Sequence, residues 1–173
     1  LLEYLPEKDA VILDIGANIG NHTLYWAGLC GAKTVYSFEP VKSTFEILSK
    51  NIELNGLQDK VKLFNLALSD EKTTCCMNCY TETNIGGVAV RKSSSGDLAM
   101  ERLDNINIVE EKVDFVKIDV EGHELFVLNG ALETLRKYKP VIFIETGNPE
   151  EVKKLLSPIG YRLEKEFENC NSL

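Results

Sequence analysis

The chain of 173 residues is 44% hydrophobic and 27% charged, with a formal net charge of −8 at pH 7. Those proportions belong to a folded globular protein able to bury a core of its own. The acidic balance, with no basic cluster along the chain, excludes a nucleic-acid backbone or an anionic membrane surface as main partner, and no apolar run approaches a membrane span.

Residues 1–173 are read as one domain. Leu1 stands where an initiator methionine would, so we expect a segment excised or processed from a longer polypeptide, or else a trimmed native terminus. No secretory signal is read at its start. The first element is the apolar run from Val11 to Ile15, broken by Asp14 and followed by Gly16 and Gly20. A short apolar run bounded by turn signals reads as a buried parallel strand. Asn21 to Ala27 continue as a helix ending near Gly31, its N–H groups expected to point back over the glycine loop. Lys33 to Phe38 is a second strand. Val41, Phe45, Leu48 and Ile52 keep helical spacing, and Asn55-Gly56 closes that helix. Val61 to Leu68 is a third strand.

Residues 69–103 are less regular, and short strands or a flap are expected there, with Ser93-Ser94-Ser95-Gly96 as a turn or mobile tip. Regularity returns at Val113 to Asp119, a strand. Leu125, Leu128, Leu132 and Leu135 then mark one amphipathic helix, Pro140 to Glu145 another strand, Pro149 to Leu156 a short helix, and Tyr161 to Phe167 a final strand. Strands alternating with helices predict an α/β fold: a Rossmann-like, mostly parallel central sheet with helices on both faces. Of the five cysteines, Cys75, Cys76 and Cys79 cluster while Cys30 and Cys170 stand apart. With only His22 and His123 to help, they build no zinc constellation. They read as reduced thiols of a cytoplasmic protein, and no metal site is assigned.

Ligands of such sheets sit at the carboxyl ends of the strands, where strand order reverses. The first strand ends in Asp14, Gly16, Ala17, Asn18, Gly20 and Asn21. The second ends in Phe38-Glu39-Pro40, with Glu39 nineteen residues beyond Gly20, the spacing at which an acid accepts hydrogen bonds from a ribose diol. The dinucleotide fingerprint carries a glycine where this loop has Asp14, and a carboxylate there repels phosphates. It suits instead a phosphate-free cofactor bearing an ammonium and a sulfonium, S-adenosylmethionine, with Asp14 near the positive end. Ala67, Leu68 and Ser69 end the third strand, where such folds place an adenine, with Leu68 expected against the ring. In the strand up to Asp119, Phe115, Lys117 and Asp119 share one face. A core lysine is costly unless paired, and Asp119 is its available partner. Asp119 and Glu121, then His123, are candidate general bases, and Glu145 ends the next strand, where it would orient the acceptor or Lys117. Glu124 is read as a helix-start carboxylate.

The glycine loop, Phe38-Glu39-Pro40, the segment from Asn65 to Asp70, Arg102-Leu103-Asp104, the run from Phe115 to Glu124, Leu128-Asn129-Gly130-Ala131 and Ile144-Glu145 together resemble the FkbM-type methyltransferases. The resemblance covers residues 10–146, and its most specific part runs from Lys117 to Glu124. It implies a Rossmann-like methyltransferase fold, S-adenosylmethionine as donor, S-adenosylhomocysteine as product, and O-methylation of acceptors such as macrolide or sugar hydroxyls. Two departures accompany it: one strand beyond Glu145 in place of the family's final antiparallel hairpin, and a short acceptor-covering part. Carboxylates at the strand ends could also hold Mg²⁺, as in some O-methyltransferases, without distinctive spacing. The expected function is thus methyl transfer from S-adenosylmethionine to a hydroxyl of a sugar, glycan or other small molecule, with other domains of a longer chain as further partners. The competing readings are a nicotinamide-dependent oxidoreductase and a non-catalytic cofactor-binding module of a multidomain protein.

Overall fold

Val11–Ile15 forms β1, and all five of its residues are buried, as an apolar run inside a parallel sheet requires. In the computed structural model, which describes residue 4 and residues 8–78, 89–92 and 98–167, β1 leads into α1 (Asn21–Leu24), continued by a π-wound turn over Tyr25–Leu29. Next come β2 (Thr34–Phe38), α2 (Lys42–Leu54), β3 (Val61–Phe64) and β4 (Ala67–Leu68). Three further strands, β5 (Thr73–Asn78), β6 (Ala89–Lys92) and β7 (Leu98–Glu101), occupy the irregular region. The chain then forms β8 (Phe115–Ile118), α3 (Glu124–Asn129), α4 (Leu132–Tyr138), β9 (Val141–Ile144) and α5 (Pro149–Leu156).

The main sheet has the order β3-β2-β1-β8-β9, every neighbouring pair parallel. Side chains alternate across it. Leu13, Ile15, Val116 and Ile118 pack on one face with Val127, Leu128, Leu135, Val152 and Leu156 from α3, α4 and α5. Ile12, Val35 and Phe115 pack on the other with Trp26, Leu48 and Ile52. This is the expected Rossmann-like arrangement, with strand order reversing between β1 and β8, where a crevice opens at the strand ends. A second sheet, β4-β7-β5-β6, mixes one parallel pair with two antiparallel ones. Among the described residues no helix is long and apolar enough to cross a membrane.

Three expectations are corrected. The strand from Val61 to Leu68 is two strands in different sheets: the chain turns out of the first at Asn65, whose Nδ2 donates to the carbonyls of Glu39 (2.9 Å) and Pro40 (3.0 Å). The single helix through Leu125 and Leu135 is two helices parted at Gly130-Ala131. A Cβ on Gly130 would lie 1.8 Å from the Ser69 carbonyl oxygen, so the close approach of these two backbones admits only glycine. The new helix is capped in trans: Asp104 accepts from the amides of Glu133 (3.2 Å) and Thr134 (2.8 Å), answering N–H groups that a helix start leaves unpaired. Finally, residues 161–167 form no strand. Tyr161, Leu163 and Phe167 alternate with charges as in a half-buried strand, but residues 162–167 are exposed, and Phe167 meets the sheet only edge-on against Phe143 at 5.9 Å. Ser93 to Gly96, the expected tip, lies outside the described residues.

Gly130→Ala is expected to destabilise the fold by about 2–4 kcal/mol, an overpacked site with no flexible neighbour to give way. The midpoint of urea unfolding checks it.

Candidate active site

The register of the main sheet sets Ser37, Asp14 and Lys117 side by side on adjacent strands, all on the α1 and α2 face and all buried. Three polar side chains in an apolar layer must satisfy one another. Thr23 of α1 closes the group from above: its hydroxyl lies 2.5 Å from Asp14 Oδ2 and 2.8 Å from Ser37 Oγ. Asp14 Oδ1 makes no hydrogen bond and faces Lys117 Nζ at 3.5 Å. That ammonium also donates to the Gly16 carbonyl (2.7 Å) and pairs with Asp119 Oδ2 (3.2 Å). One buried cation therefore joins the ends of β1 and β8. The Lys117–Asp119 pair was legible along one strand; Asp14, Thr23 and Ser37 join it only through register and helix packing.

The glycine loop spends its own donors. The amides of Gly16 and Ala17 both donate to the Phe38 carbonyl, at 3.1 and 2.9 Å, and that of Gly20 to Ala17 O at 2.9 Å. Asn18 N–H donates to Glu39 Oε2 (3.0 Å), and Ile19 N–H to Asn18 Oδ1 (2.8 Å). The amides of residues 16–20 are thus all engaged within the protein, and none of these five is left for a phosphate. Gly16, at φ +76, is needed because a Cβ there would meet the Asp119 carbonyl oxygen at 1.9 Å. Gly20, at φ +95, makes room for Leu48 of α2. Glu39 is buried, its two oxygens held by the amides of Asn18 and Val41 (2.9 Å). Burial pushes its carboxyl above the ordinary range, opposed by those two amides and by Lys117.

A cleft of about 250 Å³ lies over these strand ends. Gly16, Ala17, Asn18, Asn21, Glu39, Pro40, Ala67 and Leu68 line one part of it, and Lys117, Asp119, Glu121 and His123 the other. Three expected site residues stand apart from its lining. Asp14 is sealed under the loop by Thr23 and Lys117, Gly20 serves helix packing, and Glu145 reaches the cleft only through its charge on Glu121. The lining also contains Phe38, Leu66, Val120 and His22, which were not assigned to it. His22 stacks on Trp26 at 5.4 Å, and Trp26 meets Phe115 edge-on at 5.7 Å. The parity of the strands could have found Phe38; nothing along the chain points to the others.

After β8 the chain turns sharply, with Glu121 at φ +50 and Gly122 at φ +94. Glu124 is buried and accepts from the Gly122 amide at 2.6 Å, which secures this turn. Burial, and then the charges of Asp119, Glu145 and Glu124, push the Glu121 carboxyl above its ordinary value. His123 is buried, stacks on Phe126 at 4.6 Å, and its Nε2 lies 3.1 Å from Ser69 Oγ. Among the described residues no group of three or more His, Cys, Asp or Glu side chains is placed to hold a metal ion.

A parallel sheet of this order, with a cleft at its switch point and a buried carboxylate on the cleft wall, is a Rossmann-like methyltransferase fold. Residues 14–171 match the family described as the methyltransferase FkbM domain, and the chain belongs to that family. It is 34% identical over 159 residues to the hexuronic acid methyltransferase AglP of Haloferax volcanii, covering 87% of this chain and 63% of AglP. It is 27% identical over 173 residues to the 2-O-methyltransferase NoeI of Sinorhizobium fredii, covering 87% of this chain and 68% of NoeI. The crystal structure of a methyltransferase FkbM from Methylobacillus flagellatus shares the fold, with a TM-score of 0.64 at 19% identity over 90% of this chain and 39% of that one. The chain thus spans less than two thirds of the length of AglP.

Two outcomes follow. Lys117→Met strands the buried Asp14 charge and is expected to cost about 3–5 kcal/mol of stability, the loss typical when one partner of a buried pair is removed; denaturant unfolding measures it. The Glu121 carboxyl should titrate above the ordinary range, and Asp119→Asn, by removing a neighbouring negative charge, should bring that titration down. Carbon-13 NMR of the glutamate side chains reads both.

Proposed function

We propose that this domain transfers the methyl group of S-adenosylmethionine to a hydroxyl of a sugar or glycan. The observation that carries the reading is Glu39: a carboxylate kept in a buried position by two backbone amides, on the wall of a cleft whose glycine loop has no amides to give a phosphate. Each of its oxygens keeps lone-pair capacity for a ribose hydroxyl. Around it, Gly16, Ala17, Asn18, Asn21 and Pro40 would hold the rest of the cofactor, with Ala67 and Leu68 against the adenine. Asp119 would serve both sides, its negative charge next to the sulfonium.

When bound, the cofactor supplies an electrophilic methyl group on a positively charged sulfur. The chain's own contribution is to hold the acceptor oxygen in line with it and to take the hydroxyl proton. Asp119, Glu121 and His123 line the cleft within one turn of chain and are the groups available for that proton. Lys117 keeps Asp119 in place and holds Gly16 O, so that both walls of the cleft share one anchor. Two relatives support the acceptor class by name: AglP is a hexuronic acid methyltransferase and NoeI a 2-O-methyltransferase. Further domains of a longer protein belong to the same proposal.

The test is an acceptor screen with methyl-labelled S-adenosylmethionine against hexuronic acids, neutral monosaccharides and short glycans, the product located by NMR. Label on a sugar oxygen is expected; label only on nitrogen or carbon acceptors overturns the acceptor class. In calorimetry, Glu39→Ala should weaken S-adenosylhomocysteine binding by about 1–3 kcal/mol, the cost of unsatisfied polar partners, while NADH should not bind either form.

A further inference from the structure

The ladder between β2 and β3 ends at Phe38 and Phe64, paired in register and stacked ring on ring at 4.8 Å. It runs on by one bond, the Glu39 amide donating to the Phe64 carbonyl at 3.1 Å. Beyond that bond the two chains part. One passes through Glu39, Pro40 and Val41 into α2. The other passes through Leu66 into β4, which pairs with β7 in the second sheet. Both stretches line the same cleft, the first with Glu39, Pro40 and Val41, the second with Leu66, Ala67 and Leu68.

A backbone that leaves its sheet gives up the ladder bonds that set its distance from the neighbouring strand, and its polar groups need new partners. Asn65 supplies them with its side chain. Its amide group has two hydrogens to give, and Nδ2 lies 2.9 Å from the Glu39 carbonyl oxygen and 3.0 Å from that of Pro40. Asp, of the same shape, would set a carboxylate against two carbonyls, and Ser has one hydrogen for the two. Asn65 is itself exposed and stands outside the lining of the cleft. Glu39 is the joint between this clamp and the glycine loop, because its carboxylate accepts from the amides of Asn18 at 3.0 Å and Val41 at 2.9 Å.

From this arrangement we infer that Asn65 is a positioning residue for the cofactor. It fixes the spacing between the wall at Glu39 and Pro40 and the wall at Ala67 and Leu68, and so sets cofactor affinity without touching the cofactor. The inference rests on the placement of ribose and adenine proposed above. Asp119, Glu121 and His123 follow β8, and neither bond of the clamp reaches them. Its effect therefore falls on binding and leaves the groups proposed for the acceptor proton where they are.

The experiment joins amide hydrogen exchange in the unliganded chain to calorimetry with S-adenosylhomocysteine, for the unmodified chain, Asn65→Ala and Asn65→Asp. Exchange at Asn18, Glu39 and Val41 is expected to quicken at least about fivefold in both variants, with Val116 in the middle of the sheet unchanged. Affinity should fall about five- to tenfold, and Asp should fail at least as badly as Ala. Asn55→Ala removes another exposed side-chain bond to a backbone carbonyl, at 2.8 Å from Asn51 O, and should keep affinity within about twofold. Affinity unmoved in both Asn65 variants, or kept in Asp and lost in Ala, overturns the inference. Exchange that quickens equally at Val116 overturns it too, since that is general loosening of the fold. If both readouts move as expected while Glu39→Ala binds S-adenosylhomocysteine as tightly as the unmodified chain, the ribose placement at Glu39 is overturned and the clamp stands.

Discussion

Everything at the strand ends depends on one ammonium group kept out of water. Lys117 Nζ is placed among Asp14, Asp119 and the carbonyl of Gly16, so the two strands flanking the crevice end at a shared cation. In a low-dielectric layer such a group is tolerated only with opposite charge beside it. Asp14 supplies that charge from the next strand and is in turn held by Thr23, which itself touches Ser37. The polar row is therefore a constraint on three strands and a helix at once, and the distance between the loop after β1 and the turn after β8 is set by it. Gly16 completes the constraint from the other direction, since its missing side chain lets the Asp119 carbonyl come close.

The two walls of the cleft are built by opposite means. On the loop side the donors are turned inward: successive amides bond to Phe38 O, Ala17 O, Asn18 and Glu39. What faces the cleft there is carboxylate and small side chains, which matches a cofactor that is cationic and free of phosphate. On the far side, polar groups are collected along the chain, with β8 giving Lys117, the residue after it Asp119, and the turn Glu121 and His123, behind which Ser69 touches His123. The backbone is held behind this wall by the close approach of Gly130 to Ser69 and in the turn by Glu124 under the Gly122 amide.

Much of this was legible along the sequence wherever the signal is local. Apolar runs ending in glycine or acid marked β1, β2 and β8, and with them most of the residues that line the cleft. The pairing of Lys117 with Asp119 followed from strand parity alone. What stayed hidden depends on contacts between distant segments. Asp14 reads as a ligand-facing carboxylate until the register sets it against Lys117. Leu125, Leu128, Leu132 and Leu135 keep helical spacing straight through the break at Gly130, because the cause of the break is the Ser69 backbone, sixty-one residues earlier in the chain. Tyr161 to Phe167 carry a strand's alternation without a strand's partner; periodicity records which face is apolar, and pairing needs a neighbour.

Trp26 is the chain's only tryptophan, buried between Phe115 and the ring of His22 on the cleft wall. All indole emission from this chain therefore originates at a single point, one side chain away from the cleft. The His22 imidazole stacks on that chromophore and also lines the cleft. The domain carries its own optical gauge: indole emission from Trp26 reports on the core layer behind the cleft wall, without a label and without a change of sequence.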